Sequence, residues 1–304
     1  MNTNLPSKKT AYFHLPGLFE FYDFYVVFLD LYRKHREYFY DWCEIGSIYG
    51  APEDCLWAGG RMESSAASPK QVLALMEEYA LSARLTLSNS LLTAAHLSDR
   101  KCNSLCDLLA HSPLTHGVIV HSDLLQAYLK EQYPELYLVS STTKVITSFD
   151  GLLAELKKPE FDYVVPDFRL NKALDRLSTL EQNLKDKVEF LCNECCSIAC
   201  KDRAACYENV SRQVLDPDCP DYICPNDIHS EGYRFSKAMK NPSFISLTDI
   251  TDIYLPLGFT NFKIEGRSLG SALLLEFLLY YMTKPQYHIH VREALYLNNT
   301  LDLF

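Results

Sequence analysis

Eight β-rich runs separated by amphipathic stretches predict an α/β fold of (βα)8 TIM-barrel-like type, with residues 1–304 forming a single domain. Three observations carry this reading. The runs number eight, enough to close a parallel sheet. The segments between them carry helical rather than alternating periodicity. No glycine-rich phosphate loop follows the first run, which ranks an open doubly wound sheet lower.

In chain order, the first strand is AYFHL (11–15), and FYVVFLDLYRKHREYF after it has the period of a helix with one buried face. The second strand is CEIGSIY (43–49). SPKQVLALMEEYALS follows, with Ser68 placed to cap its helix and Pro69 at the first helical position. RLTLS (84–88) and GVIVH (117–121) are the third and fourth strands, and Ser122-Asp123 opens the helix SDLLQAYLKEQY. LYLVS (136–140), DYVVP (162–166), VEFLC (188–192) and NFKIE (261–265) complete the set, with a last long helix over roughly 269–283. The connections are short except 193–260, and a long structureless loop inside a domain is usually functional. SSTTKV (140–145) reads as a strand-to-helix turn, and the aromatic run GLFEFYDFYVVF as core.

Composition bounds the function. The chain carries 29 Lys and Arg against 39 Asp and Glu, a net charge of −10, which argues against a broad nucleic-acid surface. The N-terminal MNTNLPSKKTAYF lacks the apolar run of a signal peptide, and no stretch has the roughly 18 uninterrupted apolar residues of a membrane span. The expected compartment is therefore the cytoplasm, where clustered cysteine points to metal rather than disulfide.

Seven of the 11 cysteines fall between Cys192 and Cys224. Thiolates at that density suit a cubane cluster or a tetrahedral zinc, and 192–225 is expected to be a metal-binding loop within the barrel. The ligand set taken forward is Cys196, Cys200, Cys219 and Cys224, two pairs spaced x3 and x4. Pairing Cys192-x2-Cys195 with Cys219-x4-Cys224 is the zinc-ribbon alternative, and Cys206 is a further candidate. The CxxxCxxC of radical S-adenosylmethionine enzymes is absent, because Arg203 stands at the third position.

A barrel puts function at the C-terminal ends of its strands. Those positions hold His14, Tyr49, Asn89, Ser122, Ser141, Asp167 with Arg169, Asn193-Glu194, and Glu265-Gly266-Arg267. His14, Asn89 and Arg169 are expected to contact substrate, with Glu265, Arg267, Asn193 and Glu194 as the catalytic candidates. No Cys/His or Ser/His pairing stands out by spacing, so proteolysis is not expected.

Phe262-Lys263-Ile264-Glu265-Gly266-Arg267 looks like the FKIEGR segment of the collagenase-like peptidase superfamily, and ISLTDITDIYLPLGFTN before it is also similar. VEFLCNECCSIACKDRAACY resembles the strand and cysteine loop of that superfamily's iron–sulphur branch, although its spacing sets it apart as a separate subgroup. The resemblance implies a TIM-type barrel with a [4Fe–4S] cluster and oxygen-independent hydroxylation or other redox chemistry. It also implies an electron donor and an unassigned small-molecule, peptide or nucleotide substrate. The alternative is a non-catalytic interaction or assembly protein whose zinc or closed cluster folds the loop.

Overall fold

The computed structural model describes residues 9–59, 67–224, 233–266 and 269–297. Its centre is an eight-stranded parallel sheet: β1 Ala11–Pro16, β2 Cys43–Gly50, β3 Ser82–Leu87, β4 Gly117–Val120, β5 Tyr137–Ser140, β6 Phe161–Val164, β7 Glu189–Leu191 and β8 Asn261–Lys263. Hydrogen-bonded neighbours run β6-β5-β4-β3-β2-β1-β8-β7. A parallel bridge between Val164 and Val188 brings β6 beside β7, so the sheet curls into a nearly closed barrel. The (βα)8 expectation holds, and each predicted strand lies within two residues of an observed one.

Two apolar layers explain the curl. Ala11, Phe13 and Leu15 of β1, Ala83, Leu85 and Leu87 of β3, and Val118 and Val120 of β4 face outward into the main core. There they meet helices α1 Tyr22–Lys34, α2 Pro69–Glu78, α3 Arg100–Ala110, α4 Asp123–Gln132 and α5 Phe149–Leu156. The alternate residues face the lumen, where Tyr49, Ile119, Val139, Val165 and Leu191 form a smaller cluster. Strands covered on both faces in this way are characteristic of parallel sheets.

Local chemistry sets the helix ends. Ser68 and Gln71 form a reciprocal capping box at α2, with Pro69 in its first turn, and Ser122 Oγ accepts from the Leu125 amide at α4. Phe24, Tyr25, Phe28 and Leu29 bury one face of α1, so the aromatic run is core. Thr142–Lys144 is a single 3-10 turn capped by Ser141, in agreement with the turn reading of SSTTKV.

The 193–260 segment departs from expectation. Instead of a structureless loop, it contains α6 Arg203–Leu215 and several single-turn helices before β8. Helices α7 Ser271–Met282 and α8 His288–Leu297 follow, and α7 buries eight of its 12 residues, which explains its nearly unbroken apolar sequence. Among the described residues, no helix is long and apolar enough to cross a membrane.

Candidate functional site

A cavity of about 380 Å³ opens at the C-terminal mouth of the barrel. Its floor and walls come from the strands through Tyr49, Thr86, Ser88, Ile119, Val165, Leu191 and Lys263. Its roof comes from the cysteine segment through Cys195, Cys196, Cys200, Cys206 and Cys224, with Arg203 and Tyr207 of α6. Glu194 and Glu265, at the ends of β7 and β8, sit between floor and roof.

The roof is anchored by charge. Buried Arg203 donates through Nη2 to Glu194 Oε2 at 2.6 Å and to Tyr207 Oη at 2.7 Å, and its Nε lies 3.5 Å from Asp167 Oδ2. Asp167 accepts twice from Arg169, at 2.6 and 2.9 Å, and Arg169 Nη1 donates to the Cys200 carbonyl at 2.8 Å. Glu194 Oε1 takes the Cys196 amide at 2.9 Å and also shares a hydrogen bond with Glu265. Burial alone would raise the Glu194 pKa, but the Arg203 cation and these donors bring it down to about 2.

The thiols behave differently. Burial, reinforced by the neighbouring Glu194 charge, pushes Cys196 up to about 12, and Cys196 shares a hydrogen bond with Cys200. Cys192 is fully buried outside the cavity, its Sγ against the Phe190 carbonyl, and burial raises it further. Cys219 also lies outside the cavity, with Sγ 3.8 Å from Asn209 Oδ1. Of the four expected ligands the cavity thus gathers Cys196, Cys200 and Cys224 but not Cys219, and it adds Cys195 and Cys206. Among the described residues, no three His, Cys, Asp or Glu side chains lie close enough together to hold a metal ion.

The remaining expected residues divide by task. Asn193 is a clamp: its Oδ1 accepts from the Glu265 amide at 2.8 Å and its Nδ2 donates to the Glu265 carbonyl at 2.9 Å, tying the end of β7 to that of β8. Asn89 donates to the Ser211 carbonyl at 3.0 Å and so fixes α6 to the barrel. Arg169 is taken up by Asp167 and Cys200, away from the cavity wall. His14 is not on the rim, because β1 continues to Pro16. It lies inside the barrel, bonded to Ser47 and Asn261, and burial beside the Arg84 cation lowers it to about 3. Arg267 lies outside the described residues.

Sequence reasoning missed the charged barrel base. Arg84 Nη1 donates to Glu189 Oε2 at 2.5 Å, Arg84 Nε donates to Tyr137 Oη at 2.7 Å, and Lys263 Nζ lies 3.2 Å from Glu189 Oε1. Lys263 also sits over the Tyr49 ring at 3.4 Å. Burial would raise the Glu189 pKa, but Arg84, His14 and Lys263 hold it well below the usual carboxylate range. A signal was present in the sequence. Arg84-x-Thr86-x-Ser88 and Asn261-x-Lys263-x-Glu265 place polar groups at period two within strands whose other positions are apolar, and Glu189 and Asn193 fall on the same face of their strand, which marks a polar lumen.

No family model matches the chain, and no curated protein matches it. Among solved structures, that of the U32 peptidase Mk0906 is similar in fold, with a TM-score of 0.51 at 12% identity over 87% of this chain and 95% of that one.

Proposed function

We propose that this is an iron–sulphur enzyme of the barrel mouth, performing redox or oxygen-independent hydroxylation chemistry on a substrate held in the cavity. The observation that carries the reading is the convergence of Cys195, Cys196, Cys200, Cys206 and Cys224 on one cavity, directly above Glu194 and Glu265. The fold neighbour named a U32 peptidase agrees with the collagenase-like resemblance of FKIEGR. The donor types suit the group, since soft thiolates are the usual ligands of such clusters, although among the described residues no three of them stand within metal-binding distance of one another. Cys196, Cys200, Cys206 and Cys224 would hold it, with Cys206 replacing Cys219 because only Cys206 faces the cavity.

The cluster would supply one-electron chemistry. The chain's own residues do the rest. Arg203 holds Glu194 as a carboxylate, and Glu265 at the end of β8 lines the same cavity, where it would serve as the general acid or base. Asn193 fixes the Glu265 backbone, and Arg169 fixes the Cys200 carbonyl. The apolar walls at Ile119, Val165 and Leu191 exclude water from a bound substrate.

The test is anaerobic purification with iron, zinc and sulphide analysis and a visible spectrum, repeated on three variants. Iron and sulphide are expected in the wild type and in Cys219→Ala, and lost in Cys196→Ala/Cys200→Ala and in Cys206→Ala. One zinc with no visible absorption would make the site structural and overturn the enzyme reading. Protein never exposed to air that carries no metal would refute both.

A further inference from the structure

Below the thiols, the cavity wall carries two groups that the roof chemistry does not use. Thr86 Oγ1 and Ser88 Oγ are buried without a hydrogen-bond partner, their residues are 3% and 1% exposed, and both line the cavity. A buried hydroxyl left unmatched costs about 1–3 kcal/mol, so two on one strand call for an explanation. They stand two residues apart, which places them roughly 6–7 Å apart along the strand. Neither can easily turn away. The Thr86 backbone is held in the β3–β4 ladder, and a side chain at Gly59 would come within 2.3 Å of the Ser88 carbonyl carbon, so a loop is packed hard against Ser88.

The neighbours define the ligand. Lys263 is the cationic group on the floor, but it already meets Glu189 at 3.2 Å and the Tyr49 ring at 3.4 Å. The Tyr49 hydroxyl donates to the Ile264 carbonyl at 2.6 Å. At the floor the unmatched groups are the two neutral hydroxyls, near the apolar faces of Ile119, Val165 and Leu191, while the unmatched Arg203 Nε belongs to the roof. Neutral hydroxyls compensate the burial of a neutral polar group but not that of an anion.

We infer that the barrel floor is a subsite for a neutral, apolar-bodied molecule bearing hydroxyl or carbonyl groups at two depths, one met by Thr86 and the other by Ser88. The inference deepens the reading of the cavity as a substrate site by naming the substrate class. Its ligand stands along the cavity, with its apolar body against Leu191 and Val165 and its outer end toward Glu265.

The probes are 1,4-benzenedimethanol (neutral, two hydroxyls), benzyl alcohol (one hydroxyl) and terephthalate (the same body, two charges), titrated by calorimetry or ligand-observed NMR. 1,4-Benzenedimethanol is expected to bind at least about tenfold more tightly than either of the others, with Thr86→Val and Ser88→Ala each weakening it about fivefold. Both variants should unfold at or above the wild-type temperature, because each removes an unmatched buried hydroxyl. Tightest binding by terephthalate, no binding by any probe, indifference to both substitutions, or clear destabilisation by either would each overturn the inference. Because the floor is read without metal, an empty metal analysis refutes the iron–sulphur reading while leaving this one standing, and the reverse also holds.

Discussion

Replacing Glu189 with Gln keeps the shape of the barrel base and removes its carboxylate charge. In the wild type, Glu189 is fully buried, with Arg84 at 2.5 Å and Lys263 at 3.2 Å. Loss of one member of a buried ion pair leaves its partner's charge in low dielectric, which costs about 3–5 kcal/mol. The Gln amide can accept from only one of the two cations, so the upper half of that range is expected for Glu189→Gln. Arg84→Met should cost a similar amount, since it takes the closer of two cations from the same carboxylate, leaving Lys263 alone beside it, and removes the hydrogen bond to Tyr137. The double variant should cost at least about 2 kcal/mol less than the sum, because neither partner is then left alone. Urea unfolding at pH 7, extrapolated to water, gives all three values.

The same network fixes the acid response. The folded pKa of Glu189 lies below the ordinary glutamate value of 4.5, so its contribution is complete above about pH 4.5 and fades as pH falls toward the depressed value. Stability of the wild type should therefore fall more steeply with acid than that of Glu189→Gln over that range. Additive costs, a Glu189→Gln penalty below about 1 kcal/mol, or parallel acid profiles would refute the argument that these charges are coupled.

Two further outcomes follow from the clamps around the cavity. Asn193→Ala strips both hydrogen bonds from the Glu265 backbone, so a loss of about 2–4 kcal/mol is expected on urea unfolding. A loss under about 1 kcal/mol would mean that the β8 end is held by something else. Gly59→Ala sets a methyl within 2.4 Å of the Ser88 carbonyl carbon, its oxygen and the Asn89 nitrogen, and should cost about 1–3 kcal/mol by overpacking. It should also weaken 1,4-benzenedimethanol binding more than it weakens benzyl alcohol binding, which the same titrations would show.

The barrel was legible because its strands are short apolar runs bounded by turn residues, as in GVIVH, and because Ser68 and Ser122 stand where their helices begin. The site was legible as a rim but not as a set of contacts. Asn89, Asn193 and Arg169 were rightly placed near strand ends, yet their hydrogen-bonding capacity is largely spent on carbonyls and amides far away in sequence, at Ser211, Glu265 and Cys200. Such partners lie 31 to 122 residues away, and local spacing carries no trace of them. The misplacement of His14 came from a strand that runs on to Pro16. The choice of Cys219 over Cys206 came from counting spacers without the helix that carries Cys206 to the cavity and leaves Cys219 beyond its C-terminal end.

A seam made by a single bridge at Val164 and Val188 has a consequence for size control. Backbone ladders set the girth of most of this barrel, but at the seam the girth is set by side chains spanning the lumen. Arg84 is the principal one: it pairs with Glu189 on β7 while lying 4.4 Å from the centre of the Tyr163 ring on β6, so a single guanidinium draws together the two strands that barely touch. A buried charge thus serves as a girdle, and the bore available to a substrate is adjusted by electrostatics at the base, well below the atoms that would do the chemistry.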